Sequence, residues 1–120
     1  MQKGRSMPHD RTLVQTESGP VRGEMTDGVL RFLGIPYAAA PWDELRFKAP
    51  QPVQWTEVRA ATAYGATVPQ LPYPGQLGEL LPPSSIRGAE VLNLNVWTPN
   101  SEPDQLKPVL FWIHGGRCLD

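Results

Sequence analysis

The alternation of apolar and polar residues divides the chain into a patterned start, a proline-dense middle and a patterned end. Residues 12–16 and 20–25 are short strand candidates, and Ser18-Gly19 between them is a turn signal, so they predict a hairpin. Asp27-Gly28 marks a second turn, a dipeptide that favours the tight primed type. Residues 29–35 predict a third strand, which makes 12–35 an antiparallel meander. Near the other end, 91–97 alternate: Leu92, Leu94 and Val96 point one way, and Asn93, Asn95 and Trp97 the other. Residues 108–113 form an unbroken apolar run, the pattern of a strand buried on both faces. Pro108 stands at its first position, where a missing backbone donor is tolerated. About ten residues join the two, enough for a hairpin with an extended loop.

The middle has no such period. Nine prolines between Pro36 and Pro83 rule out a long helix, since each removes a donor and fixes φ. The proline-free stretch 55–68 has room for one, and 56–64 is its best helical candidate. Elsewhere order must come from aromatic anchors packing onto a core, and Tyr37, Trp42, Phe47, Trp55 and Tyr64 are the candidates. The expected architecture is a large mixed sheet, antiparallel at its N-terminal side, with a buried central strand and little helix.

Composition narrows the function classes. Eleven basic residues against twelve acidic give a net charge of -1, which leaves no excess for a phosphate backbone and argues against a nucleic-acid partner. No apolar run approaches the roughly 18 residues of a membrane helix, so no membrane partner is expected. One cysteine and two histidines do not make an ordinary four-ligand zinc site, and neither metal nor cofactor is expected. Fourteen prolines and eleven glycines in 120 residues stay below the roughly 25–30% of a low-complexity chain. Residues 1–11 are polar, lack a secretory apolar stretch, and read as a flexible tail that includes Lys3, Arg5 and Arg11. A cytoplasmic location is the expectation.

Four blocks carry a resemblance. They are Gly19-Pro20-Val21-Arg22-Gly23; Phe32-Leu33-Gly34-Ile35-Pro36-Tyr37-Ala38 with Leu45-Arg46-Phe47, Pro50, Pro52 and Trp55; Leu92-Asn93-Leu94-Asn95-Val96-Trp97-Thr98-Pro99; and Pro108 through Ile113 into His114-Gly115-Gly116. In this order they resemble the type-B carboxylesterases, which share the α/β-hydrolase fold with the cholinesterases. The likeness covers 12–116 and corresponds to the N-terminal quarter of that family's domain. Residues 117–120 diverge, as a frameshifted or miscalled end would.

The resemblance implies hydrolysis of a small-molecule carboxylic ester through a Ser–His–acid triad. It also implies an oxyanion loop beginning at His114, with Gly115 and Gly116 shaping it and backbone donors at Gly116 and Arg117. Glycine suits that loop because the backbone must come close to the reacting carbonyl and take unusual φ values. Each such donor stabilises the transition state by roughly 2.7–4 kcal/mol. Arg117 departs from the family's glycine, which puts its donor in doubt. His114 is implied as a supporting hydrogen-bonding residue. The nucleophile is missing, because no serine here lies in Gly-x-Ser-x-Gly. Ser18, Ser84, Ser85 and Ser101 read as turn or loop serines. The chain alone is therefore expected to be inactive. The alternative is a non-catalytic cholinesterase-like binding or adhesion domain.

Two further expectations come from the resemblance. Secreted relatives carry a bonded cysteine pair where Val68 and Val91 stand here. Their joint replacement leaves an apolar pair, fits a reducing compartment and a bacterial-type relative, and leaves 69–90 without a covalent staple. An ion pair from Arg46 to an acid before the third block is also implied, with Glu90 in the acid's place because position 89 is Ala89.

Overall fold

Residues 10–102, 104 and 106–115 are described by the computed structural model. The first hairpin pairs β1 (Leu13–Gln15) with β2 (Pro20–Arg22), Leu13 lying opposite Arg22. Thr16 closes its turn: the amide and the hydroxyl both donate to the Gly19 carbonyl, at 3.1 and 2.7 Å. The second hairpin joins β3 (Glu24–Thr26) to β4 (Val29–Pro36), with Thr26 opposite Val29. Asp27 and Gly28 take φ of 50° and 79°. Positive φ at both central residues is what a type I′ turn demands, and Asp-Gly supplies it.

These hairpins do not continue into one meander. The strands form two three-stranded sheets, ordered β1-β2-β5 and β3-β4-β6. β5 (Arg59–Ala60) runs parallel to β2, and β6 (Asn93–Thr98) antiparallel to β4. The expected strand 20–25 therefore breaks at Gly23, with one half in each sheet. The Gly23 amide donates to the Thr12 carbonyl at 2.9 Å. A Cβ at Gly23 would lie 2.6 Å from the Phe32 ring and against the Arg31 carbonyl, so the crossing point has room for glycine alone.

The helix expected over 56–64 does not form. Ala61 instead donates to the Arg22 carbonyl at 2.7 Å and accepts from the Leu33 amide at 2.8 Å, which ties this stretch to β2 and β4. Tertiary pairing has overridden a weak local preference. A five-residue helix, α1 (Gln76–Leu80), lies where no helix was expected, in the gap between Pro74 and Pro82.

The core is small: Val21, Leu30, Phe32 and Ala61 are buried together, with Val14, Ile35 and Trp55 packed on them. Of the five aromatic anchors, Trp55 alone joins this cluster, and its indole N–H donates to the Pro20 carbonyl at 2.9 Å. Trp42 is half-buried and donates to the Ala89 carbonyl at 2.7 Å. Tyr37, Phe47 and Tyr64 are exposed, so they do not anchor the middle segment as expected.

The largest departure is at 108–113. No strand forms there, and Val109 to Ile113 are 74–93% exposed. A strand buried on both faces needs a hydrogen-bonded neighbour and a covering layer on each side. None of the described residues takes those places. Trp112 and Trp97, expected as packing residues, are accordingly exposed.

At the other end, Asp10 and Arg11 belong to the folded body and not to a free tail. Asp10 accepts from the Thr12 amide at 3.1 Å and from its hydroxyl at 2.6 Å, and pairs with Arg22. Arg11 lies 3.7 Å from Glu102, and its carbonyl accepts from the Ser101 hydroxyl at 2.7 Å.

Candidate functional site

The glycine loop follows directly on the exposed apolar run. His114 and Gly115 are described and exposed, while Gly116 and Arg117 lie outside the described residues. His114 Nδ1 lies 2.8 Å from the Gly115 carbonyl oxygen. A carbonyl only accepts, so this contact places a proton on Nδ1 and, in the neutral ring, leaves Nε2 as the acceptor. A Cβ at Gly115 would meet nothing within 4 Å. Nothing described in this chain crowds that glycine.

No serine among the described residues is paired with an imidazole. Ser101 donates to a backbone carbonyl and Ser18 sits in the first hairpin turn. Ser84 and Ser85 line an open hollow of about 450 Å³ between 67–70 and 83–88. A second hollow, of about 380 Å³, lies beside the core where Leu106 and Val109 approach Val14, Phe32, Ile35 and Val96. Its walls are mostly apolar and offer no pair of converging acid and base. Among the described residues no group of three His, Cys, Asp or Glu could hold a metal ion, and no helix is long and apolar enough to cross a membrane.

What the described residues do supply is a framework behind the loop, and two asparagines hold it. Asn95 Oδ1 accepts from the Gly34 amide at 2.9 Å, at the register shift between Phe32 and Ile35 where β4 bulges against β6. Gly34 has φ of 67°, and a Cβ there would lie 2.8 Å from the Gly65 nitrogen. Asn93 Nδ2 donates to the Ala66 and Glu90 carbonyls at 2.9 and 2.8 Å. Alternation in 91–97 marks both asparagines as the polar face of a strand. They are half-buried instead, and each binds backbone that has turned away from regular pairing. The available signal was asparagine on β6 with glycine at 34 and 65, small residues that let backbone approach closely.

Two expectations drawn from the resemblance change. Glu90 pairs with Arg59, not Arg46. Arg59 also stands 5.4 Å from the Trp55 ring, while Arg46 lies 5.0 Å from the Phe47 ring. Arg59 sits on β5 and so is fixed beside Glu90, whereas Arg46 follows a short 3₁₀ turn at Asp43–Leu45. Val91 is buried but Val68 is 46% exposed. The two valines therefore do not form a buried apolar pair.

The family model described as the carboxylesterase family matches residues 10–120. The chain is 42% identical over 118 residues to phenmedipham hydrolase of Pseudarthrobacter oxydans, covering 91% of this chain and 22% of that protein. It is 42% identical over 106 residues to para-nitrobenzyl esterase of Bacillus subtilis (strain 168), covering 87% of this chain and 21% of that one. Among solved structures, a carboxylesterase of Geobacillus stearothermophilus at pH 6.8 aligns with a TM-score of 0.58 at 42% identity. That alignment covers 74% of this chain and 16% of the other. The chain thus spans about a fifth of the length of the curated relatives it matches.

Proposed function

Since the chain belongs to the carboxylesterase family, with the strands and loops of an α/β-hydrolase's N-terminal portion, we propose that it is framework for a carboxylic ester hydrolase. In this reading the 120 residues supply the opening strands and the start of the oxyanion loop. Gly116 and Arg117 present backbone N–H groups to the ester carbonyl, and Gly115 lets the chain come close. His114, with its proton on Nδ1, holds the loop's start. The nucleophile and base belong to sequence other than these residues, and the 120 residues alone turn over no ester. The substrate is a small-molecule carboxylic ester, and the compartment is reducing and cytoplasmic.

The observation that carries the reading is the family match running from Asp10 through the glycine loop. Relatives from two bacteria, named for hydrolase and esterase activities, support it. Mechanistically, such donors act where negative charge builds on the carbonyl oxygen, and preorganisation makes them effective.

The test has two arms. The purified chain is incubated with a simple aryl ester, and hydrolysis no faster than buffer is expected. Turnover that disappears when one of its serines is changed overturns the reading. The second arm is the DNA beyond codon 120, read in all frames, where a Gly-x-Ser-x-Gly elbow is expected. Arg117, standing where the family has glycine, favours a second reading as a non-catalytic binding domain. An elbow lacking its serine would select that reading.

A further inference from the structure

Residues 67–89 are tied to the body only at their two ends. Every residue from 68 to 89 except Gly78 is exposed. Between 68 and 85 the hydrogen bonds are internal to the segment, from Gly78 to Gly75 and from Leu81 to Leu77. At the base the pattern reverses. Thr67 and Ile86 bond reciprocally: the Thr67 amide donates to the Ile86 carbonyl at 3.0 Å, and the Ile86 amide to the Thr67 hydroxyl at 3.0 Å. Trp42 donates to the Ala89 carbonyl at 2.7 Å.

Asn93 joins both ends. One nitrogen, Nδ2, donates to Ala66 on the outgoing arm and to Glu90 on the returning arm. Gly65 makes room for it, since a Cβ there would lie 2.6 Å from Nδ2. We propose that 67–89 is a strap that opens and closes as one unit, with the Asn93 side chain as its latch. A segment with no buried apolar side chain and with all its ties at one place belongs to the least stable cooperative unit of a fold. Opening breaks the clasp and leaves β4 and β6 paired. It also abolishes the hollow between 67–70 and 83–88, whose walls are the strap's two arms.

The test is hydrogen exchange with peptide resolution, together with limited proteolysis, on the full chain and on Asn93→Leu. Leucine keeps the volume and removes the donor. Exchange and cleavage within 67–89 are expected to rise about tenfold, the effect of losing a net hydrogen bond or two, while the amides of β4 keep their protection. Unchanged exchange in 67–89 overturns the proposal. So does an equal rise across 67–89 and β4, because Asn93 would then be a general stabiliser. Thr67→Val loosens the clasp from the strap's own side, and if Asn93→Leu does not fold it decides by the same two criteria.

Discussion

Asn95 reaches across 61 residues of sequence to accept the Gly34 amide at 2.9 Å. That bond replaces the strand pairing lost where β4 bulges between Phe32 and Ile35. Asn95→Ala leaves a half-buried N–H without an acceptor and is expected to cost about 1–3 kcal/mol. Gly34→Ala adds a Cβ at positive φ, 2.8 Å from the Gly65 nitrogen, and is expected to cost about 2–3 kcal/mol. The two act on one bulge, so the double variant should lose less than their sum. Urea unfolding of the four proteins measures this; strict additivity would show that the bond and the bulge are independent.

Gly23 and Gly28 separate two reasons for glycine. At Gly28 φ is 79° and a Cβ would meet nothing, so Gly28→Ala is expected to cost only the left-handed strain of about 1–2 kcal/mol. At Gly23 the obstacle is steric, with the Phe32 ring 2.6 Å from the added carbon. Gly23→Ala is expected to cost about 1–3 kcal/mol and to shift core packing, because Phe32 is a core residue. Thermal melts followed by near-UV circular dichroism distinguish them. The aromatic signal should change in Gly23→Ala and stay in Gly28→Ala.

The sequence is most legible where one short-range cause sets the structure. Asp27-Gly28 carries its own turn chemistry, and 91–97 carries a strand's alternation, so both were readable. Gly23 was not, since its reason is Phe32, which alternation places in another strand. The stretch 56–64 misled for a similar cause: Ala61 is held by Arg22 and Leu33, contacts no local pattern encodes. The run 108–113 is legible as a buried strand, yet burial is a property of neighbours, and the described residues provide none. For the candidate site, the motif names His114 and Gly115, whereas Asn93 and Asn95 emerge only when their carbonyl and amide partners are seen in space.

Asp10 gives the pH dependence of the N-terminal edge. Hydrogen bonds from the Thr12 side chain, then from Arg22, then from the Thr12 amide hold its carboxyl down from 3.8 to about 2. A carboxylate with a depressed folded-state pKa contributes stability above its unfolded value and loses it as pH falls through the folded one. Asp10 should therefore help fully above about pH 4 and not at all below about pH 2. Carbon-13 titration of the Asp10 carboxyl is expected to give a midpoint near 2, and Thr12→Ala should move it up toward 3.8. A midpoint unmoved by that substitution would remove Thr12 as the main cause.

The run 109–113 sets the solution behaviour of the 120 residues. Five consecutive large apolar side chains, with no charge among them, are mostly exposed. Unpaired backbone beside high β-propensity is a template for strand addition from another copy. The chain is expected to self-associate through this run. A charge within such a segment blocks its pairing at little cost to a fold that does not bury it. Leu110→Lys with Trp112→Lys should therefore shift the sedimentation profile toward monomer and leave the far-UV spectrum unchanged. Leu30→Ala is the contrasting control, because Leu30 is fully buried. It should cost about 2–5 kcal/mol and promote association by exposing the core. If the double lysine variant sediments as the parent chain does, association runs through some other surface.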